Sequence, residues 1–517
     1  MSELLAIAPT SIGAEDAARS GWRRVLTFPA FLGAMLVFGV FACVRTTPFD
    51  PDTWWHLTVG NAILQNHTWP TTDSYSYIAS GNPWTAYEWL GEVLMAAATQ
   101  AGGLAGGRVL LIALASAFVL LLYAYATLVC GNSKAAFAAC AMLLPPTALF
   151  FTLRPQLIGY VLLLASLIIL ELFRQGKERA IWLLPPLFLC WVNIHGSFAF
   201  GLLLLAVWWL SGLVNLQWGG VQAKRWTAKQ RLWLELAALL SLLATFCTPY
   251  GTGLFSYPFE MAVLQPLNIA SIQEWQSLDP GLAMGKWFLV FLLSLFLSEI
   301  LLRPAHRLDT LILLLFAMVI ALLHRRFLVV FIVMFTPWLA LLFSRCVPPY
   351  RPEKDKPVLN GCLGALGIVG LVVFFPTTQA LQQVTAQNYP VAAVEYLEEN
   401  PVPEPMLNEY GWGGFLIYMR SPEHKVFIDG RADIHEYSGV LADYQGIMLL
   451  RPNAFATLQK YNIRSCLLPR QAPLRTVLSS LPDWKAVYED EVSTILVKQS
   501  VPSQPPVGFV ADRPINR

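Results

Sequence analysis

The sequence predicts a mainly α, polytopic transmembrane bundle of about eleven spans, followed by a C-terminal α/β soluble domain. Three observations predict it. Hydrophobic residues fill 56% of the 517 positions and charged residues only 13%, against the roughly 25% charged of an ordinary soluble domain. Apolar stretches long enough to cross a bilayer recur up to position 377, and a helix is the element that satisfies its own backbone N–H and C=O groups in lipid. Lys and Arg fall in alternate connections, as in a chain threaded back and forth through a membrane.

Spans are predicted near 27–44, 108–130, 135–152, 156–173, 180–194, 197–216, 232–249, 285–302, 308–323, 327–344 and 359–376. Residues 89–101 are set apart: Trp89, Leu90, Val93, Leu94 and Ala97 share one helical face and Glu92 and Gln100 lie off it, as in a helix resting along the interface. A cytoplasmic N-terminus makes the alternate connections basic, with Arg19, Arg23 and Arg24, then Lys134, then Arg174, Lys177 and Arg179. Lys224, Arg225, Lys229 and Arg231 follow, then Arg303 and Arg307, then Arg345, Arg351, Lys354 and Lys356. The outer face of the membrane then receives residues 45–107, the 250–284 loop and everything beyond about 377. Residues 1–20 hold Glu3, Glu15 and Asp16 and no apolar core, so the first span is expected to persist as an anchor.

Four regions result: a cytoplasmic tail (1–26), the bundle with its outer loop (27–377), an extracytoplasmic α/β domain (378–498), and a proline-rich tail (499–517) expected to be disordered. Within the third, 391–399 has helical periodicity, Val426–Ile428 and Ser465–Leu468 read as buried strands, and 438–461 reads as two helices divided near Pro452. Trp484–Tyr488 and Thr494–Val497 flank an acidic turn and predict a hairpin. Eight cysteines, nearly all in spans, form neither a disulfide framework nor a metal spacing.

The densest chemical signal is the first outer loop, Phe49-Asp50-Pro51-Asp52-Thr53-Trp54-Trp55-His56, followed by Trp84-Thr85-Ala86-Tyr87-Glu88-Trp89. A carboxylate held against aromatic surface gains basicity, which suits one that takes a proton from an attacking hydroxyl. Asp50 and Asp52, one residue apart, can also share Mg2+ or Mn2+ through oxygen ligands. A membrane-interface belt would account for the rings, but it does not require acids threaded among them.

Arg154, Arg325 and Arg326 lie where the topology rule disfavours cations. Their paired N–H donors match phosphate oxygens, and headgroup anchoring is the competing use. His195 belongs to the same rim, as a ligand or a structural hydrogen-bonder. Glu274, in Ile272-Gln273-Glu274-Trp275, is either an auxiliary acid or a solvated cap.

Phe49-Asp50-Pro51 just after a first span, followed by an aromatic pair, resembles the first-loop motif of oligosaccharyltransferase catalytic subunits. More broadly the chain looks like a bacterial multi-span member of the GT-C glycosyltransferase superfamily. That resemblance implies a polyprenyl-phosphate sugar as donor, Asp50 as general base or metal ligand, and Asp52 as its nearest substitute. It also implies a late-loop acid at Glu274, with His56 and Glu88 as auxiliaries. Tyr410-Gly411-Trp412-Gly413-Gly414 and Ile428-Asp429-Gly430-Arg431-Ala432-Asp433 stand where oligosaccharyltransferases keep an acceptor-binding tryptophan motif and an acidic segment, so Tyr410 and Trp412 become acceptor candidates. The Trp-Trp-Asp-Tyr-Gly sequence itself is absent, which argues against peptide-sequon transfer. The glycines at 411, 413 and 414 predict a tight turn close to another surface.

The expected activity is transfer of a sugar from that donor to a hydroxyl on lipid, glycan or protein, with membrane lipids as surroundings and no nucleic acid partner. A surface-polysaccharide polymerase or ligase would lean on the arginines more than on Asp50. A transporter or flippase needs charges deep in spans, where only Glu171, Glu235 and Glu299 near span ends come close. A non-catalytic scaffold is the fourth reading. No Gly-rich phosphate loop with Lys, His-Glu zinc helix or Cys-x-x-Cys pair occurs, which argues against nucleotide hydrolysis and zinc chemistry.

Overall fold

A computed structural model describes residues 26–302 and 304–499, and a helix falls on each of the eleven apolar stretches. The tail with Arg19, Arg23 and Arg24, the tail beyond 499 and Arg303 lie outside the described residues. Trp89–Cys130, Pro155–Arg174, Ala283–Leu302 and Arg325–Phe343 are long and apolar enough to cross a membrane. Pro357–Val373 and Thr378–Asn388 supply a fifth crossing if the pair, bent by 60°, is one broken span. Phe28–Val44, Phe198–Ser211 and Leu308–Leu323 are apolar and shorter. The chain is an integral membrane protein.

Two compact units divide it. The first holds the described residues up to Asp73 and Asn82–Thr385; the second holds Ser74–Gly81 and the described residues from Ala386. In the first unit the predicted basic connections meet at one end. Asn132 donates to the Val347 carbonyl at 2.8 Å, Phe28 N–H donates to Asp355 at 3.2 Å, Lys229 pairs with Glu178 at 2.7 Å, and Arg174 forms a fork with Asp309 at 2.7 and 3.1 Å. Arg154 and Arg174 bound the same 20-residue helix, so this end lies about 30 Å from Arg154.

The loops hold more structure than their composition suggests. Asp50 caps a helix over Pro51–Asn66, and the 250–284 connection contains helices at Gly253–Leu264 and Pro266–Ser271. A small hairpin of Leu216–Trp218 and Val221–Ala223 turns at Gly219, whose φ of +54° favours glycine, and pairs with His306–Arg307. The predicted interfacial helix is the first part of Trp89–Cys130, separated from the rest at Gly102 and at Gly103, where φ is +57°. Its polar positions part ways: Glu92 is buried, whereas Gln100 is exposed and donates to Asn61 at 2.8 Å, and Leu94 and Ala97 are exposed. Gly60 makes this packing possible, because a Cβ there would sit 2.2 Å from the Glu92 carbonyl.

Arg108, read from sequence as the first residue of a span, is a buried clamp. It donates to the Val44 carbonyl at 2.6 Å, to the Thr47 hydroxyl at 3.1 Å and to the Thr47 carbonyl, and lies 4.8 Å over the Phe49 ring. It therefore fixes the stretch that delivers Asp50. Arg108→Met is expected to lower the melting temperature in detergent, since each bond lost to a buried charged group costs on the order of 1.5–3 kcal/mol. An unchanged melting curve would deny Arg108 that structural role.

The second unit carries a four-stranded sheet in the order Met406–Asn408, Ser465–Pro469, Ser493–Lys498, Trp484–Glu489. Its first pair is parallel and the other two are antiparallel, and the last two strands form the predicted hairpin. Helices at Val391–Glu399, Val440–Met448 and Ala454–Lys460 match the periodicity. Two readings change. Val426–Ile428 is buried but is not a ladder strand: the Asn408 side chain accepts from Phe427 N–H and donates to the Ile428 carbonyl, both at 2.8 Å. Tyr410–Arg420 is a helix rather than a turn, although the close approach is real, since a Cβ on Gly413 would lie 2.1 Å from the Ile428 carbonyl. Ser74–Gly81 folds into this unit through Val426, with Tyr77 N–H donating to its carbonyl at 3.1 Å and its own N–H donating to Tyr75 at 2.9 Å.

Candidate functional site

The Pro51–Asn66 helix starts where it does for local reasons. The Asp50 side chain accepts from Asp52 N–H at 3.0 Å, Pro51 occupies the first turn, and Asp52 sits where the helix dipole favours an anion. Asp52, Trp55 and His56 then share one face, three and four residues apart. The Trp55 indole N–H donates to Asp52 at 3.2 Å, and its ring centroid lies 3.6 Å from that of His56.

Arg154, at the cap of Pro155–Arg174, reaches into this turn. Its guanidinium lies 2.7 Å from Asp52, 3.2 Å from Glu274 and 3.6 Å from Asp50, so three carboxylates from two distant loops converge on one cation. Burial opposes the charge on Arg154, but Asp52, Asp50 and Glu274 together hold its pKa well above the ordinary range. Arg154 in turn holds the Glu274 carboxyl below its usual range despite burial. Burial pushes the Asp52 carboxyl up to about 7, with Arg154 opposing the rise and Asp50 and Glu274 adding to it.

Behind this knot runs a buried chain of acids and imidazoles. Glu92 meets His56 Nδ1 at 3.0 Å, His56 Nε2 faces Glu88 at 3.4 Å, and Glu88 faces His195 Nε2 at 3.3 Å. His195 Nδ1 accepts from Ser197 N–H at 3.0 Å, which leaves its proton on Nε2, toward Glu88. Burial, then Arg326 and Arg154, pushes His195 down to about 3, and burial with Arg154 and His195 holds His56 well below the usual imidazole range. Both rings are therefore neutral in the folded protein near pH 7, whereas an unfolded histidine titrates near 6.5. As pH falls below about 6.5 the unfolded chain binds protons that the folded chain refuses, so stability is lost progressively from there toward about 3. Melting temperature in detergent is expected to fall between about pH 7 and pH 5, and His195→Gln should flatten the decline; identical slopes in both proteins would show that His195 contributes nothing.

Glu274 also borders a hollow of about 120 Å3 lined by Thr152, Gln156, Tyr160, Arg325 and Arg326 together with Leu149, Phe150 and Met284. Arg326 stacks 4.2 Å over Trp275, whose carbonyl accepts from His324 Nδ1 at 2.5 Å. Arg325 donates to Gln273 at 3.3 Å. Gln156 and Tyr160 are hydrogen-bonded to each other.

Asp50, Asp52, Arg154 and Glu274 thus meet in one cluster, Arg325 and Arg326 line the adjoining hollow, and His56, Glu88 and His195 form the buried chain. Tyr410 and Trp412 belong to the second unit, where Tyr410 N–H donates to the Tyr444 hydroxyl at 2.9 Å and the buried Trp412 donates to the Asn388 carbonyl at 3.2 Å. Asp429 in that unit is gripped by Arg431 at 2.7 and 2.8 Å, which outweighs burial and keeps its carboxyl well below the usual range. Sequence reasoning left out Glu92, Trp55 and Trp275 as working parts; the four-residue spacing of Glu88 and Glu92 was the signal for the first. Among the described residues no group of three or more His, Cys, Asp or Glu is arranged to hold a metal. Asp50 and Asp52, the pair expected to share a divalent cation, both lie against the Arg154 guanidinium.

The archaeal oligosaccharyltransferase AglB from Archaeoglobus fulgidus, solved with an inhibitory peptide and a dolichol-phosphate, matches this structure with a TM-score of 0.53. The chain shares the fold of this archaeal oligosaccharyltransferase. The match spans 87% of this chain and 70% of the archaeal one at 10% identity, so the likeness is one of fold. ArnT from Cupriavidus metallidurans, bound to undecaprenyl phosphate, aligns over 90% of this chain and 96% of its own, with a TM-score of 0.47 and 13% identity. No family model and no curated protein matches the sequence.

Proposed function

We propose that this protein is an inverting glycosyltransferase that moves a sugar from a polyprenyl-phosphate carrier to a hydroxyl on lipid, glycan or protein. The reaction takes place at the outer face of a bacterial inner membrane. The chain crosses about eleven times, as the alternating basic connections require, with its N-terminus cytoplasmic and its 378–498 domain outside. One observation carries the reading: a carboxylate cluster centred on Arg154 shares Glu274 with a hollow lined by two further arginines.

A base and a phosphate site side by side are what the reaction needs. Asp52 takes the proton of the acceptor hydroxyl as its oxygen bonds to the anomeric carbon. The bond from that carbon to the phosphate oxygen breaks with its electron pair, and polyprenyl phosphate leaves against Arg326 and Arg325. Asp52 fits the base better than Asp50, because its carboxyl titrates near the working pH while the Asp50 oxygen is engaged in capping the helix. Trp55 and the buried His56 chain hold Asp52 in register.

The test incubates purified protein in detergent with a panel of radiolabelled polyprenyl-phosphate sugars and membrane extract. Label is expected to pass from carrier to an acceptor with the native protein and to stay on the carrier with Asp52→Asn. No transfer from any donor in the panel, or equal transfer by the variant, would sink the proposal.

A further inference from the structure

The positions of Asp50, Asp52 and Glu274 look at first like a divalent-cation site: two acids one residue apart and a third from a distant loop. What they surround is a side chain. The Arg154 guanidinium is ion-paired to all three, at 3.6 Å from Asp50, 2.7 Å from Asp52 and 3.2 Å from Glu274, the last as a hydrogen bond. Mg2+ or Mn2+ would need several of these oxygens drawn to within about 2.0–2.2 Å of one point, whereas each of the three lies against the Arg154 guanidinium. Arg154 is held there by its position at the cap of Pro155–Arg174, and its side chain is only 18% exposed. Gly91 packs on Pro155, where a Cβ would meet that ring at 2.7 Å, so the base of the arginine is fixed too.

Arg154 brings a fixed positive charge to Asp50, Asp52 and Glu274, and Arg325 and Arg326 act electrostatically on Glu274 as well. A divalent ion would add two further positive charges beside a guanidinium that could not leave without stranding its partners.

We infer that Arg154 occupies the place a divalent cation would hold among Asp50, Asp52 and Glu274, so that the fixed positive charge of this site is a side chain and the protein needs no metal. The consequence for catalysis rests on the transferase reading; the occupancy itself does not. Mn2+ titrated into the full-length protein in detergent and followed by electron paramagnetic resonance reads occupancy directly. The native protein should leave the free Mn2+ signal undiminished. Arg154→Met, which vacates the centre, should bind Mn2+ at least tenfold more tightly than native, and adding Asp52→Asn to it should abolish that gain.

Stoichiometric Mn2+ binding by the native protein that disappears in Asp52→Asn would overturn the inference, and so would an Arg154→Met protein that stays monodisperse yet binds none. If Arg154→Met does not fold, Arg154→Gln, which keeps polar contacts but removes the charge, replaces it under the same two outcomes. In the transfer assay, dialysis against a chelator should leave native turnover unchanged; loss of turnover that Mn2+ restores would likewise count against it. Failure of every sugar donor would remove the transferase reading while leaving the Mn2+ results to decide the inference.

Discussion

Asp52→Asn is expected to reduce turnover by about 100-fold to 10,000-fold, the worth of a positioned general base, while leaving the protein folded. The comparison that gives this force is Asp50→Asn. Asparagine caps a helix about as well as aspartate, so that variant keeps the start of Pro51–Asn66 and should lose less than about tenfold, whereas Asp50→Ala should also destabilise by about 1 kcal/mol. The pH profile supplies a second readout. Only the ionised base accepts a proton, and the Asp52 carboxyl titrates at about 7, so kcat/KM should rise with pH through that value and the limb should vanish in Asp52→Asn. If Asp50→Asn proves the more damaging change, the base is Asp50 and Asp52 serves to hold Arg154.

The resemblance in Phe49-Asp50-Pro51 points to Asp50 first, and the reason it does so is instructive. Sequence shows which acids are near one another, but not which one the fold buries. The Asp-Pro pair carried a second message, a capping aspartate followed by a first-turn proline, which predicts the helix that follows as directly as it suggests chemistry. The helices on the apolar stretches were legible because each rests on local composition, and the contacts of Asn132, Arg174, Lys229 and Asp355 gather several of the basic connections at one end.

What local pattern cannot carry is partnership across the chain. Arg154 and Glu274 are 120 positions apart and His195 faces Glu88 across 107, and no periodicity links them. The buried Glu92 in residues 89–101 shows a related limit. An amphipathic stripe fixes a helix's two faces, but in a membrane protein the polar one can turn to a buried partner, as Glu92 does to His56. Arg108 was invisible for the same reason, since its partners are backbone carbonyls that any sequence supplies.

Arg326→Ala should raise the KM for the polyprenyl-phosphate donor by about tenfold to a hundredfold, equivalent to about 1.4–2.7 kcal/mol. Among the described residues Arg326 donates no hydrogen bond and forms no ion pair; its guanidinium carbon lies 4.2 Å from the centre of the Trp275 ring, and the residue lines the hollow. A side chain held by a ring face and not by its donors keeps those donors for a ligand, and a guanidinium edge matches two phosphate oxygens at once. Arg325 is partly engaged by Gln273 and should cost less when removed. Arg326→Lys restores the charge but not the fork, so it should recover only part of the affinity. Product inhibition separates phosphate recognition from lipid recognition: polyprenyl phosphate should inhibit native protein and lose potency against Arg326→Ala, while polyprenyl alcohol should act equally on both. Equal loss of potency for the alcohol would move Arg326 from the phosphate to the lipid. A collapse of turnover in Arg326→Ala beyond that of Asp52→Asn would instead favour a polymerase or ligase, in which arginine charge and not a base dominates the barrier.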